Sequence, residues 1–198
     1  MYNNYMEAKS KQQPFKNKRK DFKLENIYSR CLITKKIVLP INLIGKNIKE
    51  VIEQSIKSQF EGKCITEGYI KNDSGKIITY SSGTIQRGNF ISFEVVFECD
   101  VCFPVEGMLI QCVAKNITKA GIRAESANEF PSPVVVFIAK DHHYNVTNFS
   151  DIKEGDKISI RVIGQRFELN DKYISIIGEL VKEKTFKQQS KPRLVIEG

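Results

Sequence analysis

Residues 91–103 read ISFEVVFECDVCF, and their alternation decides the fold. The even positions are mostly polar, with Ser92, Glu94 and Glu98 among them. A period of two places one face of a β-strand against a core and the other face near water. Since the run is longer than an ordinary strand, we expect it to bend or to serve two sheets. The odd positions are apolar: Ile91, Phe93, Val95, Phe97, Cys99, Val101 and Phe103.

The chain before this strand predicts a shorter strand and a helix. Residues 31–39 are β-branched and apolar, and Pro40 ends the run, which predicts a strand. Between positions 44 and 60 the apolar side chains recur at the spacing of one helix face, and charged side chains occupy the other. We therefore predict a helix that packs on a sheet through its apolar face.

Turn residues divide the next stretch into short antiparallel strands. Positions 72–75 read Asn-Asp-Ser-Gly, which is typical of a tight turn, so residues 64–71 and Lys76–Tyr80 are predicted to pair as strands. Gly83 and Gly88 are predicted to bracket a second turn before the long strand. The first part of the chain is therefore predicted to be an α+β unit, with one helix on an antiparallel sheet.

The chain after Pro104 predicts a β-barrel. The unbroken apolar run at 134–138 predicts a strand buried on both faces, and Gly164 is a candidate bulge. Five strands with a loop between the third and the fourth are typical of the OB fold, a small closed barrel. The five strands are expected at residues 107–115, 118–125, 134–138, 158–162 and 174–180.

Basic residues concentrate at the two ends of the chain. The formal net charge is +8, of which residues 1–25 contribute +4 and residues 182–198 contribute +3. We interpret residues 1–25 as a disordered basic arm and residues 183–198 as a basic tail. Such segments are either simply solvated, or they attract nucleic acid or an acidic partner without sequence preference.

Composition also predicts the cellular compartment. No apolar run approaches the roughly 20 residues of a membrane helix, and the polar N-terminus lacks the apolar segment of a secretory signal. The five cysteines are odd in number and lack the spacing of a disulfide framework. We therefore expect an intracellular protein with reduced thiols and no membrane association.

The sequence offers no catalytic or metal-binding set. Cys99-x-x-Cys102 resembles half of a zinc site, but zinc needs four ligands, and positions three apart on a strand face opposite sides. His142 and His143 lack a nucleophile and further metal ligands, so a polar loop is the simpler interpretation. We therefore predict no catalytic residues, no metal and no cofactor.

Three stretches of the chain together resemble one protein family. Glu61-Gly-Lys-Cys64 is followed by Gly68-Tyr-Ile, residues 83–88 lead through the long strand to residues 104–107, and residues 155–180 read as a closing hairpin. In order and spacing these stretches resemble the seventh-subunit family of eukaryotic RNA polymerase II, which has a counterpart in archaeal RNA polymerase. The heavy use of Lys, Ile and Asn is typical of AT-rich genomes, such as those of large DNA viruses.

The resemblance implies an architecture, an activity and partners. It implies a tip domain of truncated RNP-like fold at residues 26–104 and an OB-fold domain at residues 105–182. The protein would be a non-catalytic stalk subunit of a multisubunit DNA-directed RNA polymerase, paired with a fourth-subunit-like partner. The tip domain would dock on the polymerase core, near the clamp of the largest subunits, and the barrel would contact nascent single-stranded RNA. Its location would be the nucleus, or the host cytoplasm or virion for a viral protein.

The chain departs from the family in two places that concern RNA. Barrels of this type often carry a base-stacking aromatic after the small-residue bend, where this chain has Ile122 and Arg123. An arginine can still stack on a base or pair with a phosphate. The histidine expected near the end of the third barrel strand is matched only loosely, by His142 or His143.

Two sets of residues are the candidate binding sites. OB folds bind single strands through their second and third strands and the flanking loops, combining cations with aromatic rings. Phe167 and Tyr173 are the candidate stacking rings. The candidate RNA-binding cations are Lys115, Lys119, Arg123, Lys140, Arg161 and Arg166. The candidate polymerase-facing residues lie in the two predicted turns of the tip domain: Asn72, Gly75, Gly83, Arg87 and Gly88.

A free-standing OB-fold RNA-binding factor, acting in translation or RNA decay, is the alternative function. Such a factor has no use for the helix at 44–60 and its sheet, and it would need a more basic barrel than the near-neutral centre of this chain. An enzyme ranks below both hypotheses, because no nucleophile, acid–base pair or metal set can be assembled.

Overall fold

A computed structural model describes residues 26–143, residue 149 and residues 151–181. The predicted arm and tail lie outside the described residues. In the described part of the chain, no helix combines the length and the apolar character needed to cross a bilayer. The elements of the described part are β1 (Tyr28–Pro40), α1 (Ile48–Gln59), β2 (Cys64–Ile65), β3 (Gly68–Ile70), β4 (Lys76–Tyr80), β5 (Thr84–Gln86), β6 (Phe90–Cys102), β7 (Leu109–Ile117), β8 (Gly121–Ser126), β9 (Val134–Ala139), β10 (Lys157–Arg166) and β11 (Ile174–Leu180), with short 3-10 turns at Ile41–Leu43 and Lys140–His142.

Strand β6 is the centre of the first sheet. β1 pairs antiparallel with β6 along its whole length, from Tyr28 opposite Cys102 to Pro40 opposite Phe90. The other edge of β6 is shared in turn by β5, β4 and β3, and β2 pairs with β3. The expectation that the long strand serves two sheets is therefore wrong, because its length matches three short strands set end to end. We call β1 to β6 with α1 the N-terminal unit.

The alternation predicted for β6 is confirmed over its central part. Phe103 lies beyond the end of the strand and is 46% exposed. α1 supplies the other half of the core through Ile52 and Ile56, and Phe60 stacks on Phe97 with 6.0 Å between ring centroids. The predicted helical stripe thus packs on the sheet as expected. The buried odd positions are Phe93, Val95, Phe97, Cys99 and Val101.

Strands β7 to β11 form a closed barrel, which confirms the α+β architecture with a five-stranded OB-like barrel. The strand order is β7-β8-β9-β11-β10, and β10 pairs back with β7. β9 and β11 are parallel, and the other four pairings are antiparallel. The bulge predicted at Gly164 is confirmed, because the register of β10 against β11 shifts between Val162 and Gly164.

Several predicted boundaries are wrong for local reasons. Residues 64–71 form two short strands, β2 and β3, because the chain reverses before Gly68, where an added Cβ would lie 2.5 Å from the carbonyl oxygen of Cys102. The stretch between Gly83 and Gly88 holds a strand, β5, and its turn comes later, at residues 87–89. The first two barrel strands are also shifted, to Leu109–Ile117 and Gly121–Ser126.

The N-terminal unit and the barrel share buried side chains at their junction. Cys64, Tyr69 and Cys102 lie in the same buried cluster as the interior of the barrel. The N–H of Cys64 donates to the carbonyl of Asp171, and the N–H of Asn170 donates to the carbonyl of Cys64, both at 2.8 Å. Apolar packing and backbone hydrogen bonds therefore fix one unit to the other.

Candidate nucleic-acid interface

Four of the six predicted RNA-binding cations gather at one end of the barrel. Lys115 lies at the bulge of β7, between Ala114 and Asn116, and Lys119 lies in the loop that leads to β8. Arg123 points outward from β8. Lys140 follows β9, and its N–H donates at 3.0 Å to the carbonyl of Ala120 in the β7–β8 loop. We call Lys115, Lys119, Arg123 and Lys140 the basic rim.

The cations of the basic rim differ in whether a carboxylate already neutralises them. Arg123 is about half exposed and lies 3.3 Å from Glu125, two residues along the same strand face. Among the described residues, no carboxylate oxygen lies within 4.0 Å of the ammonium groups of Lys115, Lys119 or Lys140. Exposed lysines of this kind attract a polyanion without first breaking an ion pair.

The other two predicted cations lie away from the basic rim. Arg161 of β10 faces Leu109, at the start of β7, whereas Arg123 faces Asn116, near the end of β7. Arg166 also belongs to β10, and it lies five residues beyond Arg161, past the part of β10 that pairs with β7. Both carry ion pairs, Arg161 with Glu179 at 3.4 Å and Arg166 with Glu168 at 3.2 Å. The structure therefore separates these two arginines from the other four cations.

Phe137 is an exposed aromatic that the sequence interpretation missed. The prediction that β9 is buried on both faces is wrong, since Phe137 is 43% exposed and Val135 is half-buried. Phe137 lies directly opposite Arg123 of β8 on one side and Ile177 of β11 on the other. The prediction of a closed barrel carried the missing signal, because every barrel strand has an outer wall and alternate residues of β9 must face it.

His143 is a structural histidine, which contradicts its interpretation as part of a polar loop. Only 3% of the residue is exposed, and its ring stacks on Phe149 at 5.4 Å between centroids. Nδ1 lies 2.7 Å from the carbonyl oxygen of Ala139, and Nε2 accepts a 2.9 Å hydrogen bond from the N–H of Leu180. This geometry requires the neutral ring with its proton on Nδ1. His143 thus joins the end of β9 to the end of β11, whereas His142 is exposed.

The two predicted stacking rings lie outside the basic rim. Phe167 packs edge-to-face on Phe103, with 6.2 Å between ring centroids, so it belongs to the junction between the two units. Tyr173 is 44% exposed and precedes β11, at the end of the parallel β9–β11 pair where those strands begin. Neither ring is a neighbour of Arg123 in the barrel ladder.

The first candidate polymerase-facing turn is built around a buried carboxylate. Glu61 is 8% exposed, and its carboxylate accepts the N–H of Asp73 at 2.8 Å and the N–H of Gly75 at 2.9 Å. An added Cβ at Gly75 would lie 2.7 Å from the same carboxylate, so a larger residue there would displace the carboxylate from its hydrogen bonds. Lys57 of α1 forms an ion pair with Asp73. The turn that contains Asn72 and Gly75 is therefore held by the carboxylate of Glu61, and an exposed ion pair adds a weaker link to α1.

The second candidate turn joins β5 to β6. Arg87 and Gly88 lie in the turn itself, and Gly88 has a φ of +78°, a conformation that glycine adopts at little cost. Gly83 lies earlier, before β5, where an added Cβ would overlap the side chain of Ile91. The two candidate turns lie at different positions along β6, since β4 pairs with its middle and β5 with its start.

The same contacts explain the Glu-Gly-x-Cys stretch in physical terms. Glu61 holds the turn after β3, and Gly62 has a φ of +69° with only 2.5 Å between an added Cβ and Oδ1 of Asn72. Cys64 then packs against the barrel. Each of these residues has a local structural reason for its type.

The cysteines belong to the cores of the two units. Cys99 lies in the core of the N-terminal unit and Cys102 in the core that includes the barrel, so the two face opposite sides of β6, as the strand period predicts. Burial raises the pKa of each of these thiols to about 12. Among the described residues, no group of three or more His, Cys, Asp or Glu side chains lies close enough to hold a metal ion.

Comparison with known proteins identifies relatives of this chain. It is 27% identical to a protein of Acanthamoeba polyphaga mimivirus named as a DNA-directed RNA polymerase subunit, over 79% of this chain and 83% of that protein. It is 27% identical to subunit 7 of DNA-directed RNA polymerase II from Arabidopsis thaliana, over 58% of this chain and 62% of that protein. It is 20% identical to subunit RPB7 of DNA-directed RNA polymerase II from Glycine max, over 73% of this chain and 88% of that protein. No family model matches the chain.

These relatives confirm the resemblance that the motifs carry. The similarity to a mimivirus subunit is consistent with a viral version of the protein, and two plant subunits are also similar to it. The homologues also indicate a non-catalytic RNA polymerase subunit, in agreement with the prediction that the chain is not an enzyme. The chain is therefore similar to the seventh subunits of RNA polymerase II and to a viral RNA polymerase subunit, as the motifs predict.

Proposed function

We propose that this protein is a non-catalytic stalk subunit of a multisubunit DNA-directed RNA polymerase. The observation that carries the proposal is the similarity to polymerase subunits in a chain that joins a helix-backed sheet to a closed barrel. In this proposal residues 26–104 form the tip domain and residues 105–182 the OB-fold domain. The protein works inside the cell as part of the polymerase, and a fourth-subunit-like protein is its stalk partner.

The tip domain docks on the polymerase core in this proposal, near the clamp of the largest subunits. The rigid construction of the turn around Glu61 supports this role, because a turn whose N–H groups are already paired loses little conformational freedom on binding. The docking residues are those of the two candidate turns: Asn72, Gly75, Gly83, Arg87 and Gly88.

The barrel contacts exiting single-stranded RNA through the basic rim. Lys115, Lys119 and Lys140 support this part of the proposal, since their charges are not neutralised by a described carboxylate. Arg161 and Arg166 remain proposed contacts, but their ion pairs and their distance from the rim make them the weaker ones. Because the centre of the chain carries a net charge of only +1, we expect modest affinity that falls steeply with salt.

Co-purification from the native source tests the subunit assignment. We expect the large polymerase subunits to be recovered with this protein at equal stoichiometry. Recovery with ribosomes, or with free RNA and no polymerase subunits, would contradict the proposal and favour the alternative of a free-standing RNA-binding factor.

RNA binding by the full chain tests the role of the basic rim separately. Replacing Lys115, Lys119 and Lys140 together by Gln should weaken binding to a single-stranded RNA oligonucleotide and reduce the slope of log K against log salt by about 2, at roughly 0.7 per phosphate contact. The matched control replaces Arg161 and Arg166 by Gln and should change the slope less. An equal change in both variants would overturn the assignment of the rim.

A further inference from the structure

A row of outward side chains crosses the barrel beside the basic rim. Arg123 of β8, Phe137 of β9 and Ile177 of β11 are consecutive partners in the ladder. Side chains directly opposite each other on one face of a sheet have Cβ atoms about 5 Å apart. Phe137 is 43% exposed and Ile177 is 55% exposed, so the row presents an open aromatic ring between a cation and an aliphatic side chain.

Packing of the barrel does not account for an aromatic ring at this position. The interior is filled by the alternate residues of β9, and Val134, Val136 and Ile138 are each 0% exposed. Phe137 lies on the other face of the strand, where a polar residue would leave the core unchanged. An exposed ring beside a cation is the arrangement by which single-stranded nucleic acid is held, with bases stacked on the ring and phosphates near the charge.

The row also accounts for the missing base-stacking aromatic after the small-residue bend. Ile122 follows Gly121 but is 0% exposed, so it offers no surface to a base. Arg123 points outward, and the ring that β8 lacks is supplied by its ladder partner on β9. The aromatic surface is therefore displaced by one strand rather than absent.

We propose that Phe137 is a stacking surface for one base of a single-stranded RNA whose phosphates are bound by Arg123 and the lysines of the basic rim. This inference rests on the proposed RNA contact of the barrel and names the group that binds the base. Ile177 extends the apolar floor beyond the ring. The barrel then recognises unpaired RNA, because a base inside a duplex cannot lie flat on the ring.

Binding of a short single-stranded RNA to the full chain tests the inference. Phe137→Ala should weaken binding roughly 5- to 150-fold, which corresponds to about 1–3 kcal/mol for one stacked base. The salt slope should stay unchanged, since no charge is removed. Phe137→Tyr should bind nearly as well as the wild type. Tyr173→Ala is the matched control. Tyr173 is as exposed as Phe137, at 44%, but it lies four residues before Ile177, the ladder partner of Phe137, and is therefore outside the row.

A fluorescent reporter gives a second, direct measurement. The chain contains no tryptophan, so Phe137→Trp introduces a single tryptophan at the proposed stacking position, and its emission can be excited selectively at wavelengths that tyrosine does not absorb. Single-stranded RNA should quench its emission, duplex RNA of the same sequence should not, and Tyr173→Trp should respond to neither.

The outcomes separate this inference from the function on which it rests. If the wild type binds no RNA, the proposed RNA contact itself fails. If the wild type binds RNA but Phe137→Ala binds within twofold of it, or Tyr173→Ala loses as much affinity, only the stacking surface is overturned. Circular dichroism of each variant should show an unchanged fold, since Phe137 lies on the outer wall of the barrel, Tyr173 lies in the bend before β11, and both rings are exposed.

Discussion

The N-terminal sheet has open edges and an uncovered face within the described residues, whereas the barrel closes on itself. β1 pairs with β6 alone, so its other edge carries unpaired backbone groups, and Leu32 and Val38 are exposed on the face opposite α1. Each barrel strand has a neighbour on both sides and presents only side chains. A sheet with an open edge and apolar side chains offers contacts suited to a protein, while a closed wall with cations and one ring offers contacts suited to a single strand.

A large-to-small substitution in the core of the N-terminal unit should have the largest effect on stability, and it tests whether the two units unfold together. Phe97 is 0% exposed and stacks on Phe60, so Phe97→Ala should lower the free energy of unfolding by about 3–5 kcal/mol. Because Cys64, Tyr69 and Cys102 extend into the barrel core, we expect the loss to appear in the barrel as well. Urea unfolding followed by circular dichroism, with hydrogen exchange of barrel amides, measures both parts.

The matched substitution in the barrel is Ile160→Ala, at a residue that is also 0% exposed. We expect the free energy of unfolding to fall by about 2–5 kcal/mol, and we expect the two units to unfold in a single transition in both variants. If Phe97→Ala melts the N-terminal sheet while the barrel amides stay protected, the two units unfold independently and the shared junction does not couple them.

The second prediction uses alkaline pH to compare the cores through their thiols. Burial raises the pKa of Cys112 in the barrel to about 12, from an ordinary value of 9.0. Between these values the unfolded chain loses the proton while the folded chain keeps it, so stability is present below about pH 9 and is lost as pH rises to about 12. The full shift corresponds to about 4 kcal/mol. The free energy of unfolding of Cys112→Ala should therefore depend less on pH in this range than that of the wild type.

Val162→Ala is the control for the thiol prediction. It removes buried apolar volume from the same barrel core without removing a titratable group. It should lower stability by a similar amount at every pH and keep the slope of the wild type. A slope for Cys112→Ala that matches the wild type would show that the Cys112 thiol does not contribute to alkaline unfolding.

The same comparison explains how much of the fold could be predicted from the sequence. A strand or helix that is buried on one face has a regular spacing of apolar residues in the sequence, so β6 and the apolar stripe of α1 were predictable. The Arg123–Glu125 pair also follows from the period, because residues two apart on a strand share a face. Phe137 was not predictable in this way, since an outward ring inside the apolar run of β9 breaks no pattern.

Long-range contacts account for the remaining errors. The burial of His143 depends on the N–H of Leu180, which lies 37 positions along the chain, and no local pattern encodes that hydrogen bond. Whether a lysine lacks a carboxylate neighbour likewise depends on residues brought together by the barrel. The basic rim could therefore be predicted as a set of residue types, but its separation from Arg161 and Arg166 could not.

A third, smaller effect is expected at the buried carboxylate of the N-terminal unit. Glu61→Gln keeps one acceptor oxygen but turns an NH2 group toward an N–H of the turn, so one of its two hydrogen bonds is lost. Hydrogen bonds to a charged group contribute about 1.5–3 kcal/mol, and we expect a loss in this range by chemical denaturation. Glu53→Gln, on the exposed face of α1, should change stability by less than about 0.5 kcal/mol. Equal effects would show that the turn does not depend on the carboxylate.

The smallest effect should come from the ion pair that crosses the junction. Lys71 of the N-terminal unit lies 3.1 Å from Glu129 of the barrel, and its ammonium lies 4.8 Å above the ring of Tyr28. Both partners are partly exposed, so the coupling energy in a double-mutant cycle of Lys71→Met and Glu129→Gln should be about 0.5–1 kcal/mol and should shrink in high salt. The more exposed Arg166–Glu168 pair, with side chains 84% and 74% exposed, should give a coupling near zero. A junction coupling no larger than that of the exposed pair would mean that apolar packing and backbone hydrogen bonds alone join the two units.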